Sequence, residues 1–191
     1  MSYSQFTLRS AIASFNLTLV EGRGLFTNIS PVSLSEFLQQ QLDFGLPLAV
    51  AVGSEKARSE FILAPLLGEL KRTTGWSLFS GVEFDVDTSV GLNGFVDFLM
   101  SSDPEQMFVK SPVAVVIEAK KDDIASGLGQ CAATMVAAQR FNESVEVVRG
   151  AVTTGTVWRL MELDGNELAI DLAEVTDFGM VLGFLANLEQ R

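Results

Sequence analysis

The sequence predicts an α/β chain, a mixed β-sheet flanked by helices, on three observations. Residues 82–87 alternate between apolar and acidic side chains, the period-2 mark of a strand with one wet face. Residues 94–101 and 113–120 are apolar at both parities, the pattern of strands covered on both faces. An alanine-rich stretch over residues 122–141 reads as a helix and separates these strands from a second strand group. At 191 residues the chain fits one domain that buries a sizeable core without disulfide or metal staples.

Taken in order, residues 1–53 read as an N-terminal helical extension of the same domain, and residues 54–191 as its core. Ser33-Leu34-Ser35-Glu36 has the capping-box pattern and opens a helix to about residue 42. Ser54 caps a longer helix over residues 55–72, stopped by Thr73-Thr74-Gly75, with Pro65 expected to kink it. Strands over 76–87, 94–101 and 113–120 follow, with Asp103-Pro104 as a turn between the last two. After the helix over 122–141 come strands over 145–153 and 156–163, around Thr154-Gly155. A last strand covers 168–172 after Asp164-Gly165-Asn166, and a helix over 177–190 closes the order.

Composition removes several chemistries. There is no histidine, which excludes Ser-His and Cys-His nucleophilic sites and His-ligated zinc. The single cysteine, Cys131, excludes an internal disulfide and suits a reducing compartment. Residues 1–10 are polar, with no apolar core of a secretory signal, and the apolar run over 46–52 contains a proline and stops at Gly53. A cytoplasmic protein with no membrane partner is the expectation. The hydrophobic share of 48% and the mean hydropathy of +0.31 point to extra burial, as in a homodimer or a contact with a partner subunit.

Charged residues in apolar runs mark a candidate site. Asp97 is the only polar side chain in Phe95-Val96-Asp97-Phe98-Leu99-Met100, and an unpaired buried carboxylate is costly, so a cation is expected beside it. The run Val113-Ala114-Val115-Val116-Ile117 ends in Glu118-Ala119-Lys120. Strand alternation puts Glu118 and Lys120 on one face, roughly 6.6 Å apart. If the two strands are neighbours, Asp97 and Glu118 converge with Lys120 beside them. Two carboxylates and a backbone carbonyl suit a hard cation such as Mg2+. A water bound to that cation would be activated, and the ammonium would steady charge on a phosphoryl oxygen.

Two helix residues extend the set. Steps of about 100° per residue from Glu60 place it on a face with Ala57, Leu63, Ala64 and Leu67, which makes it a candidate third acid. Gln130 shares a face with Ala133, Thr134, Ala137 and Phe141, near the helix N-terminal end, where free N–H groups favour an anion. Glu83, Asp85 and Asp87 read as a solvated strand face, and the glycines of Gly91-Leu92-Asn93-Gly94 and Gly127-Leu128-Gly129 match no nucleotide-binding loop.

In this order, helix Glu60, strand Asp97, Glu118-Ala119-Lys120 and helix Gln130, the chain resembles the PD-(D/E)xK nuclease superfamily over residues 54–172. The resemblance implies a restriction-endonuclease-like three-layer core. It further implies Asp97, Glu118 and the Ala119 carbonyl as ligands of Mg2+, with Mn2+ as a substitute, and Lys120 as the catalytic lysine. Glu60 would add a ligand, and Gln130, with Lys121, would support substrate binding. Val96 stands where the motif's name has proline, and Thr134 stands where a Gln-xxx-Tyr variant would have tyrosine. The implied activity is metal-dependent hydrolysis of phosphodiester bonds, in DNA rather than RNA. The net charge of −11 works against phosphate binding. It motivates an alternative, an inactive or regulatory subunit of the same fold that acts by binding protein or nucleic acid.

Overall fold

Among the residues described by the computed structural model, 2–144 and 146–188, seven strands form one mixed sheet. In chain order they are β1 (Thr18–Gly22), β2 (Ser77–Glu83), β3 (Phe95–Ser101), β4 (Val113–Ala119), β5 (Val148–Thr153), β6 (Trp158–Asp164) and β7 (Glu167–Asp171). Across the sheet the order is β1-β7-β6-β5-β4-β3-β2. The β4–β5 and β1–β7 pairs are parallel, and the other neighbours are antiparallel. The helices are α1 (Leu8–Phe15), α2 (Glu36–Val52), α3 (Glu55–Arg58), α4 (Ala64–Thr74), α5 (Ile124–Phe141) and α6 (Phe178–Ala186).

The α/β order expected from the sequence is present, but the expected strand over 76–87 stops at Glu83, so most of the alternating stretch 82–87 lies beyond it in a turn held by Asp87 and Leu92. The expected start at Val145 and the expected helix end over Glu189 and Gln190 lie outside the described residues. Two apolar cores sit on the two faces of the sheet. One gathers Leu38, Leu66, Leu70, Leu182 and Phe184 against Phe98, Val115 and Ile117; the other gathers Tyr3, Phe6, Cys131 and Met135 against Leu99, Val116 and Val152. β4 and β5 run parallel, so they need a crossover, and α5 supplies it. That helix is wedged between sheet and N-terminal segment, which explains its small residues. A Cβ on Gly127 would strike Val152, and one on Gly129 would strike the backbone of Phe6 and Thr7. Among the described residues no helix is long and apolar enough to cross a membrane.

Three local expectations are corrected. Residues 1–53 are not purely helical, because Thr18–Gly22 joins the sheet edge in register with Glu167–Asp171. That strand is short and half-wet, so its alternation is weak in the sequence. The cap of α2 is Ser35, which accepts from the Leu38 N–H, and the helix runs on to Val52 through Pro47. Pro47 is exposed, so water can take the backbone bond it forfeits.

Pro65 does not kink one continuous helix. A wide π turn, Ser59–Leu63, lies between α3 and α4, closed by the Ala64 N–H on the Ser59 carbonyl, and Pro65 falls in the first turn of α4. The Phe61 carbonyl, which Pro65 has no N–H to satisfy, lies against Gly45 of α2, where any Cβ would collide with it. The wide turn breaks the even angular steps assumed for this stretch. Its inward face is Ala57, Ile62, Leu63, Leu66, Leu67 and Leu70.

Candidate active site

The register of β3 on β4 positions the site. Phe98 pairs with Ile117, Leu99 with Val116 and Met100 with Val115. The next step of this antiparallel register sets Asp97 against Glu118, and directly opposed residues share a face. Asp97 is half-buried, and its Oδ2 accepts the Ala119 N–H at 2.8 Å. Glu118 is buried, at 2% exposure. Lys120 follows at the end of β4, where its N–H donates to the carbonyl of Thr153, the last residue of β5. Its Nζ donates to Glu118 Oε1 at 2.5 Å and reaches Gln130 Oε1 at 3.5 Å. Asp97, Glu118, Lys120 and Gln130 are therefore together on the α5 face of the sheet.

The electrostatics follow from burial and crowding. The Glu118 carboxyl is pushed up to about 8 by burial first and by the Asp97 charge second, against the opposing pull of the Lys120 ammonium. For Lys120, burial favours the neutral amine. The hydrogen bond and charge of Glu118, with Asp97 and Glu55 behind it, outweigh burial and raise its pKa above the ordinary lysine value. Glu55, the first residue of α3, thus acts on both groups. Sequence reasoning passed over it because an acid just after the Ser54 cap has an ordinary explanation in the helix dipole.

Glu60 is corrected: it is exposed and pairs with Lys56 at 2.8 Å on the outer side of the π turn, away from the two acids. Lys121 is also turned outward, with Asp122 at 3.8 Å, and only its backbone carbonyl is used, by Arg58 Nη1 at 2.8 Å. Gln130 reaches Lys120, but the expected anion seat at the start of α5 is already occupied. The Asp123 carboxylate accepts from the N–H groups of Ala125 and Ser126.

An open cleft of about 310 Å3 adjoins Asp97 and is lined by Ser2, Tyr3, Ser4, Gly94, Phe95, Asp97 and Gln130. Its wall is the N-terminal segment, fastened by the Tyr3 N–H on the Asn93 carbonyl at 3.0 Å and the Tyr3 hydroxyl on the Phe84 carbonyl at 2.7 Å. The sequence carried no signal for this wall. Among the described residues no three His, Cys, Asp or Glu side chains form a cluster able to hold a metal, so Asp97 and Glu118 are a two-acid site. No protein-family model, no curated protein and no solved structure matches the chain.

Proposed function

We propose that the protein is a divalent-metal-dependent nuclease that hydrolyses phosphodiester bonds, in DNA rather than RNA. One observation carries the reading: Asp97 faces Glu118 across β3 and β4 while Lys120, on the same face, is bonded to Glu118. The antiparallel β2–β3–β4 unit, the α5 crossover and β5 alongside β4 support a restriction-endonuclease-like core and the PD-(D/E)xK resemblance.

The donor set fits a hard cation. Two neighbouring carboxylates, one raised by burial and then by the charge of the other, leave the site short of positive charge. Asp97, Glu118 and the Ala119 carbonyl would hold Mg2+, or Mn2+ in its place, with waters completing its shell. When bound, such an ion supplies Lewis-acid activation of water and phosphoryl oxygen. Glu118 holds the Lys120 ammonium, which stabilises negative charge as it develops on the phosphoryl group. Gln130 limits the movement of that ammonium from the other side. In this reading Glu55 adds negative charge near the site without joining the ligand set.

The test is nicking of supercoiled plasmid, with single-stranded DNA and RNA in parallel, in Mg2+ and in Mn2+. Cleavage abolished by Asp97→Ala and by Lys120→Ala is expected. A folded wild-type protein that cleaves none of them overturns the reading. The net charge of −11 and the two-acid count favour a second reading, an inactive or regulatory subunit that binds nucleic acid or a partner chain. It predicts no calorimetric Mg2+ or Mn2+ binding and a partner that co-purifies.

A further inference from the structure

Phe95 is 69% exposed, in a strand whose other apolar residues are buried. It precedes Asp97 by two residues, roughly 7 Å along the strand. Both line the 310 Å3 cleft, together with Gln130. The only other aromatic on that lining, Tyr3, is buried and tied to Phe84, so it has no face to offer a ligand. Across the β2–β3 pair Phe95 sits opposite Glu83, which is exposed and gives the ring no aromatic or apolar cover.

A bare aromatic ring beside a phosphodiester site has one general use, because every nucleobase offers a flat face for stacking. The cleft volume is at the lower end of small-molecule sites and accommodates a nucleotide unit. Only an unpaired or frayed base has a free face to stack on the ring, since bases inside a duplex cover one another. We propose that Phe95 is a base-stacking platform that seats an unpaired nucleotide beside Asp97, so that the substrate class is single-stranded or frayed nucleic acid rather than intact duplex. This rests on the nuclease reading above. Stacking also supplies sequence-tolerant affinity that does not depend on basic residues, which a chain of net charge −11 lacks.

The experiment measures fluorescence anisotropy of a labelled oligothymidylate and of a closed hairpin duplex of equal length. Ca2+ serves as the hard cation, and cleavage of the same probes is followed in Mg2+. Wild type should bind and cleave the single strand in preference to the hairpin. Phe95→Ala and Phe95→Leu should weaken single-strand binding by about 5- to 100-fold, and Phe95→Trp should retain it. An abasic site placed at the stacked position should reproduce the loss in wild type and add nothing in Phe95→Ala. Cleavage that is metal-dependent but indifferent to Phe95→Ala, or Phe95→Leu behaving as wild type, overturns the stacking role and leaves the nuclease reading standing. A wild-type protein that neither binds nor cleaves either probe overturns both.

Discussion

Lys120 Nζ lies 2.5 Å from Glu118 Oε1, a bond between the buried carboxylate near the end of β4 and the partly exposed ammonium two residues on. It ties this ammonium to an acid whose charged form burial disfavours. Lys120→Ala should therefore remove any metal-dependent nicking by about 100-fold or more, as expected where a fixed positive charge stabilises a transition state. Lys120→Arg should recover little, because the planar guanidinium does not reproduce a point charge at this position. Plasmid nicking checks activity, and circular dichroism checks that both variants fold.

Asp97→Asn keeps the shape and an oxygen to accept the Ala119 N–H, but removes the charge facing Glu118. In wild type, saturating Mg2+ or Mn2+ should raise the melting temperature; a ligand at 100 times its Kd contributes about 2.7 kcal/mol. The Asn variant should show a much smaller rise. Glu60→Ala should leave the metal response unchanged, because that side chain faces solvent beside Lys56. Equal responses in wild type and Asp97→Asn would remove Asp97 from the ligand set.

The Glu118 carboxyl gives a signed pH dependence. Its folded pKa, about 8, lies above the ordinary glutamate value of 4.5. A carboxyl raised on folding favours the folded state fully below the ordinary value, and that contribution is lost as pH rises towards about 8. Without metal, wild type should therefore lose stability between pH 5 and 8.5 relative to Glu118→Gln, by an amount on the order of a few kcal/mol. Urea unfolding across that window measures it. Added Mg2+ should stabilise wild type more at pH 8.5 than at pH 6, since proton and cation compete for the same oxygens.

At the other end of the sheet, Arg149 and Glu162 form a buried ion pair in direct cross-strand register. The guanidinium lies 4.4 Å from the Phe184 ring centroid and donates to the Asn187 carbonyl at 3.0 Å. Glu162→Ala should destabilise by about 3–5 kcal/mol, since it removes one partner of a buried ion pair. The double change Arg149→Met with Glu162→Leu should recover most of the loss in urea titration.

Gly129 sets the distance between α5 and the N-terminal segment. Gly129→Ala should cost about 1–3 kcal/mol, because the new methyl meets backbone at Phe6 and Thr7. It should also loosen the Tyr3 wall of the cleft, visible as faster proteolysis within residues 2–17.

The parts of this protein legible in the sequence are those whose cause is local. Apolar runs and the alanine-rich stretch marked the order of the later strands and α5, whereas the alternating stretch 82–87 falls mostly beyond β2. The isolated charges Asp97, Glu118 and Lys120 were conspicuous because they interrupt runs that burial would otherwise keep apolar. What only the tertiary structure decided depended on contacts between distant residues. The exposure of Glu60 follows from a π turn whose Phe61 carbonyl lies against Gly45, and no helical period records that contact. The place of β1 at the sheet edge, the Tyr3 wall and the exposure of Phe95 follow from pairing with partners such as β7, Asn93 and Glu83. Sequence patterns report how a side chain balances against its own segment, whereas a site is made where separate segments meet, and that meeting is set by register and packing across the whole molecule.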